Sequence, residues 1–153
     1  MLTLQYLKTV LAGEIAGVTN ADKQIIESAA GYDGIVALIQ TKGISPIIIL
    51  ENSEVGEFSL RPGGFLKSSQ SVWVMKMVGR DGDRRAVQDE CFAMMKRIIK
   101  VFVKHEKDAE LDQWDWGDRI PWGIRNAGPN FTGYEFTLGF SEDTDLSYTE
   151  DGQ

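Results

Sequence analysis

The chain has 153 residues, 42% hydrophobic and 25% charged, with a formal net charge of -7. That length suits one domain with a sizeable core, and the acidic balance argues against broad nucleic-acid binding, which relies on neutralising phosphates. A single cysteine, Cys91, excludes an internal disulfide framework, and no segment reaches the roughly 20 apolar residues needed to span a bilayer.

Leu4, Leu7, Val10 and Leu11 form a short helical face that ends near Ala12 and Gly13. Residues 1–17 hold Lys8 and Glu14 and no long apolar run, so no secretory leader is expected and the chain is placed in the cytoplasm at synthesis. Thr19 or Asn20 is a candidate cap for a second helix running to Ala30, with Ile25, Ile26 and Ala29 inward and Gly31 as its left-handed stop. Asp33 is a candidate cap for a third apolar segment, 35–40, closed by Lys42 and Gly43. Its Ile-Val-Ala-Leu-Ile run serves equally as a buried strand.

From Pro46 the period changes. Ile47, Ile48, Ile49 and Leu50 predict a strand buried on both faces, while residues 57–61 alternate as a half-exposed strand does. Pro62, Gly63 and Gly64 then turn the chain into a third strand over 72–78, rich in residues that pack on a pleated surface. The short connections predict an antiparallel meander. After an acidic turn, Val87, Cys91, Met94, Met95, Ile98 and Phe102 recur at helical spacing. A helix over 83–106 is expected, about 35 Å long at the usual rise per residue. Tyr134, Phe136, Leu138 and Phe140 alternate with Glu135, Thr137, Gly139 and Ser141, predicting a closing strand with one dry face.

The expected fold is therefore α+β: an antiparallel sheet of about four strands against one long amphipathic helix, with further helices near the N-terminus. A helix laid across the sheet buries both apolar surfaces at once. Residues 1–141 are expected to form the single domain. Glu142, Asp143, Asp145, Glu150 and Asp151 make 142–153 an acidic, solvated tail.

Residues suited to chemistry are few. His105 is the only histidine and sits in the last turn of the long helix, where a cation meets the helix dipole favourably. One histidine and one cysteine do not make the usual zinc sets. Cys91 and His105 are about 20 Å apart along one continuous helix, too far for a nucleophile and its base. Asp81-Gly82-Asp83 and Asp143-Thr144-Asp145 lack the remaining ligands of a calcium loop and are expected to be a turn with a helix cap and part of the tail, and Gly63-Gly64 lacks the lysine of a phosphate cradle. No catalytic, cofactor-binding or metal-ligating residue is assigned, and the chain is expected not to be an enzyme.

The connection 108–130 is unusual, holding Trp114, Trp116 and Trp122 among Asp112, Asp115, Asp118, Arg119 and Arg125. Loops of such length are commonly functional or mobile. Three readings stay open: indoles folded back as a core cap, a protein-protein contact, or a sugar-stacking or hydrolytic site. Trp114, Trp116, Trp122, Arg119 and Arg125 are the candidate interaction residues. Lys96, Arg97, Lys100 and Lys104 add a basic stripe on the polar side of the long helix, a solvated face or a dock for a neighbour's acidic tail.

The order of short strands, a Val-Trp-Val-Met-Lys-Met-Val strand, a polar turn, a long amphipathic helix and an alternating last strand resembles tailed-phage tail-terminator or tail-completion proteins. Residues 71–80, 84–102 and 134–140 carry the likeness, over about half of the chain. The resemblance implies a small non-enzymatic structural protein that self-associates, as a ring in that family, and docks to other tail or connector proteins. It implies a virion location after assembly; separately, no cofactor, nucleic-acid partner or membrane is expected. The tryptophan-rich insertion and the extra N-terminal helix depart from the family pattern. The alternative is a carbohydrate- or ligand-binding module built on the 108–130 loop.

Overall fold

The computed structural model describes residues 2–29, 31–52, 55–60, 64–106, 119–143 and 146. In chain order these form α1 (Leu4–Leu11), α2 (Ala21–Gln24), β1 (Ile25–Ser28), α3 (Gly31–Lys42), β2 (Ile47–Glu51), β3 (Val55–Ser59), β4 (Phe65–Met77), α4 (Arg84–Glu106), β5 (Trp122–Ala127) and β6 (Phe131–Asp143). The class is α+β, with α4 packed on the sheet and further helices near the N-terminus. The sheet is larger than the sequence suggests: six strands among the described residues, ordered β1-β2-β4-β6-β5 with β3 also on β4. It is mixed rather than purely antiparallel, because β1 runs parallel to β2.

The extra parallel pair comes from the segment expected to be a helix through Ala30. Asn20 does cap a helix there, its side chain accepting from the Lys23 N–H, but the helix lasts one turn. Gln24 stops it. Its buried amide accepts from the Thr19 and Asn20 N–H groups at 2.8 Å and donates to the Gly17 and Pro46 carbonyls. Ile25 then enters a ladder opposite Ile48 and is fully buried. Gly31 has the expected positive φ, +71°, yet it opens α3 instead of closing a helix. The ambiguous apolar segment 35–40 is that helix, and α3 is the crossover joining the parallel strands.

The expected meander is also corrected. β2 and β3 do not pair with each other; both pair with β4, at Ile47–Leu50 against Met75–Val72 and at Val55–Ser59 against Ser69–Phe65. They lie end to end along one edge of β4, while β6 takes the whole of its other edge. β4 begins well before Val72 because its polar first half has partners on both sides. Gln70, buried there, accepts from the Leu2 N–H at 3.2 Å.

Burial divides between two faces. On one, Cys91, Met95, Ile98 and Phe102 of α4 and Leu7, Val10 and Leu11 of α1 cover Ile48, Leu50, Val72, Val74, Tyr134, Phe136 and Leu138. On the other, Ile35 and Ile39 of α3 cover Ile47, Ile49, Trp73, Met75 and Phe131. The long helix is thus not the sole cover, and β2 is buried on both faces as its unbroken apolar run predicts. α4 matches its expected span, with Asp83 Oδ1 accepting from the Arg85 N–H at 2.9 Å and the Ala86 N–H at 3.3 Å. That settles Asp81-Gly82-Asp83 as a turn and helix cap. No helix among the described residues is long and apolar enough to cross a membrane.

Candidate interaction surface

The tryptophan-rich connection is not loop throughout. Its last part is β5, an edge strand antiparallel to β6 with Trp122 opposite Phe136 and Ala127 opposite Phe131. Trp122-Gly123-Ile124-Arg125 does alternate, but the run is too short to stand out from the surrounding connection, and pairing with β6 establishes the strand. Alternation along β5 sends Trp122, Ile124 and Asn126 to the face that carries α4 and Arg125 to the other. Trp122 and Arg125, expected to act together, are therefore on opposite sides of the sheet. Arg125 Nε donates to Glu135 Oε2 at 2.6 Å in a partly exposed ion pair. Arg119 is exposed just before β5. Trp114 and Trp116 lie outside the described residues, as does most of the acidic tail; Glu142 and Asp143 belong to β6.

Trp122 sits in a three-ring cluster. Its centroid is 5.4 Å from Phe92 and 5.6 Å from Tyr134, and Phe92 is 5.3 Å from Tyr134, all three edge to face. Such tilted pairs suit the aromatic quadrupole. Lys96 Nζ lies 5.4 Å from the Phe92 centroid. Trp122 is anchored on its inner edge yet stays 56% exposed, and Ile124 beside it is 47% exposed. It is both a partial core cap and a presented surface.

Below the rings a polar ladder holds β5 and the β5–β6 turn to α4. Arg84 donates to Asn126 Oδ1 at 2.7 Å and to the Pro129 carbonyl at 2.6 Å. Thr132, fully buried, donates to Asn126 Oδ1 and accepts from Gln88 Nε2 at 3.0 Å. Among basic residues outside this ladder, Arg97 pairs with Glu14 and Lys76 with Glu90.

The opposite end of the sheet presents a second apolar edge. Phe58 of β3 is 63% exposed and Leu60, the residue after it, 85% exposed. Phe58 falls on the α4 side, since it pairs with Leu66, an even position of β4 like Val72 and Val74. No hydropathy pattern marks these residues as a site, because a half-exposed strand predicts one dry side and here that side extends past the helices.

Among the described residues no group of three or more His, Cys, Asp or Glu is placed to hold a metal ion. Cys91 is fully buried, its Sγ 3.6 Å from the Thr132 carbonyl. Burial pushes its thiol from 9.0 up to about 12, against a smaller opposing pull from Lys76. At pH 8 the native protein should resist alkylation by iodoacetamide, and unfolding in urea should make one thiol react. Labelling in both states, followed by mass measurement, checks this. The proton is held more tightly in the folded chain, so this residue's contribution to stability is intact below pH 9 and declines as pH rises from 9 towards 12.

No protein-family model matches the chain, and no curated protein matches it.

Proposed function

We propose that this protein is a non-enzymatic assembly component of the tail-completion kind, working by self-association and by docking to tail or connector proteins. What supports the reading is the distribution of exposed apolar side chains. Trp122 and Ile124 lie on one outer strand, and across the sheet Phe58 lies on another with Leu60 directly after it. Outer strands offer unpaired peptide groups, and soluble proteins usually protect them with charge, proline or a bulge. Among the described residues no strand pairs with the outer edge of β3 or of β5, and apolar side chains flank both, as suits an edge meant to be paired.

Light scattering over a concentration series is the direct test, together with binding to a tail-tube subunit. Growth of molar mass with concentration is expected. A mass fixed at the monomer, with no tail-tube binding, would discard the reading.

The three-ring cluster favours a second reading, in which Trp122 stacks a sugar ring. Indole emission measured under a glycan panel separates the two, since stacking alters emission and self-association without glycan leaves no glycan dependence.

A further inference from the structure

We infer that the β5 edge of one copy receives the β3 edge of a second, head to tail, in one register that pairs Arg125 with Glu57. The inference rests on the assembly reading and adds the surfaces and the alignment.

Hydrogen bonding fixes which peptide groups are open. The Thr137 N–H donates to the Pro121 carbonyl, so 121, 123, 125 and 127 turn their peptide groups toward β6. Those of Trp122, Ile124 and Asn126 point away from the sheet. At the other side, the Val78 N–H donates to the Asn130 carbonyl, which directs the even positions of β4 to β6 and the odd ones to β2 and β3. The partners of those odd positions are 55, 57 and 59, so the peptide groups of Gly56 and Phe58 point outward, and those of Leu60 do so once the strand is extended by one residue.

Strand direction decides the pairing mode. β3 and β6 both run against β4, and β5 runs against β6. A second copy placed beside β5 with its α4 face on the same side therefore presents β3 antiparallel to β5. Open groups must meet open groups, so Trp122, Ile124 and Asn126 face some alignment of Gly56, Phe58 and Leu60. In the central alignment Trp122 lies opposite Leu60, Ile124 opposite Phe58 and Asn126 opposite Gly56. Every apolar residue then meets an apolar one, and Asn126, already held by Arg84 and Thr132, faces a glycine with no side chain to crowd it. On the other face the same alignment sets Arg125 against Glu57. Shifting the strands by two residues either way loses that charge pair.

Self-pairing covers only one of the two exposed apolar edges. β5 against β5, centred on Gly123, matches Trp122 with Ile124 but gives Arg125 no acid and leaves Phe58 and Leu60 exposed; β3 against β3 can match Phe58 with Leu60 but leaves Trp122 and Ile124 exposed. Apolar pairs across a ladder stabilise it, and the mixed ladder covers both edges with one contact. A contact between two different surfaces propagates, closing into a ring or extending as a filament.

Ile124→Lys and Phe58→Lys each spoil one edge and leave the other intact. Sedimentation velocity should show wild type as oligomers, each variant alone as a monomer, and an equimolar mixture as dimers with nothing larger. Circular dichroism establishes that both variants are folded; if lysine prevents folding, Ile124→Thr and Phe58→Thr replace them. Oligomers persisting in either variant, or a mixture that stays monomeric, would overturn the pairing while leaving self-association standing. A monomeric wild type would instead remove the assembly reading beneath it.

Discussion

Phe136→Ala should lower folding stability by about 3–5 kcal/mol, the usual loss when a buried phenylalanine is truncated in a core that cannot collapse. Phe136 is fully buried at the centre of β6, opposite Val72 on one side and Trp122 on the other, under α4. Removing the ring empties the space between β4, β5 and α4 together. For a chain of 153 residues, a loss of this size lowers the melting temperature by roughly 6–20 °C, at about 2–4 °C per kcal/mol. Phe58→Ala supplies the contrast. Its ring is 63% exposed, so the monomer should change by about 0.5 kcal/mol or less. Urea denaturation of both variants checks the pair, and equal losses would contradict the division between core and edge. The assembly behaviour should invert: Phe58→Ala weakens self-association at a concentration where Phe136→Ala retains it, provided that variant is still folded.

Gly133→Ala is the second large effect, and it arises from overfilling. Gly133 lies opposite Met75 in the β4–β6 ladder. A Cβ there would strike the Val74 carbonyl oxygen and come within 2.9 Å of the Met75 Cα and Sδ. Backbone on the central strand has nowhere to move, because Val74 and Met75 are also tied to β2. Overpacking typically costs about 1–3 kcal/mol, and contact with backbone rather than a flexible side-chain tip puts this case at about 3 kcal/mol. Equilibrium unfolding in urea should show a lower midpoint with an unchanged slope. A midpoint within error of wild type would contradict the close approach of β4 and β6 at Gly133.

These two sites illustrate why the sheet was only partly readable in advance. Phe136 belongs to the cleanest alternating segment in the chain, so its strand and its dry face follow from residues 134–140 alone. Gly133, three residues earlier, carries no hydropathy signal. Its importance is a distance between strands that are remote in sequence, and only pairing creates it.

The same contrast holds for the interaction surface. Trp122 stands out by residue type, and its aromatic and amphipathic character is visible without coordinates. Its companions do not follow from proximity in the chain. Arg125 is three residues away yet on the other face, whereas Phe92 and Tyr134 come from α4 and β6 and complete the ring cluster. Phe58 and Leu60 alternate visibly with Glu57, Ser59 and Arg61, but that pattern predicts a dry side, and only the folded chain leaves these two side chains exposed.

What the sequence determined alone is the local order: α1, the β2 run, the spine helix α4 with its Asp83 cap, and the alternating β6. Each depends on side-chain periodicity or a cap within a few residues, which is information the chain holds locally. Tertiary structure decided the rest. Whether residues 25–28 continue a helix or join a sheet depended on β2 being there to pair with Ile25. Whether β2 and β3 form a hairpin or share one edge depended on the length of β4. Which peptide groups face outward among the described residues also depended on pairing, since a strand edge exists only once its neighbours on the other side are in place.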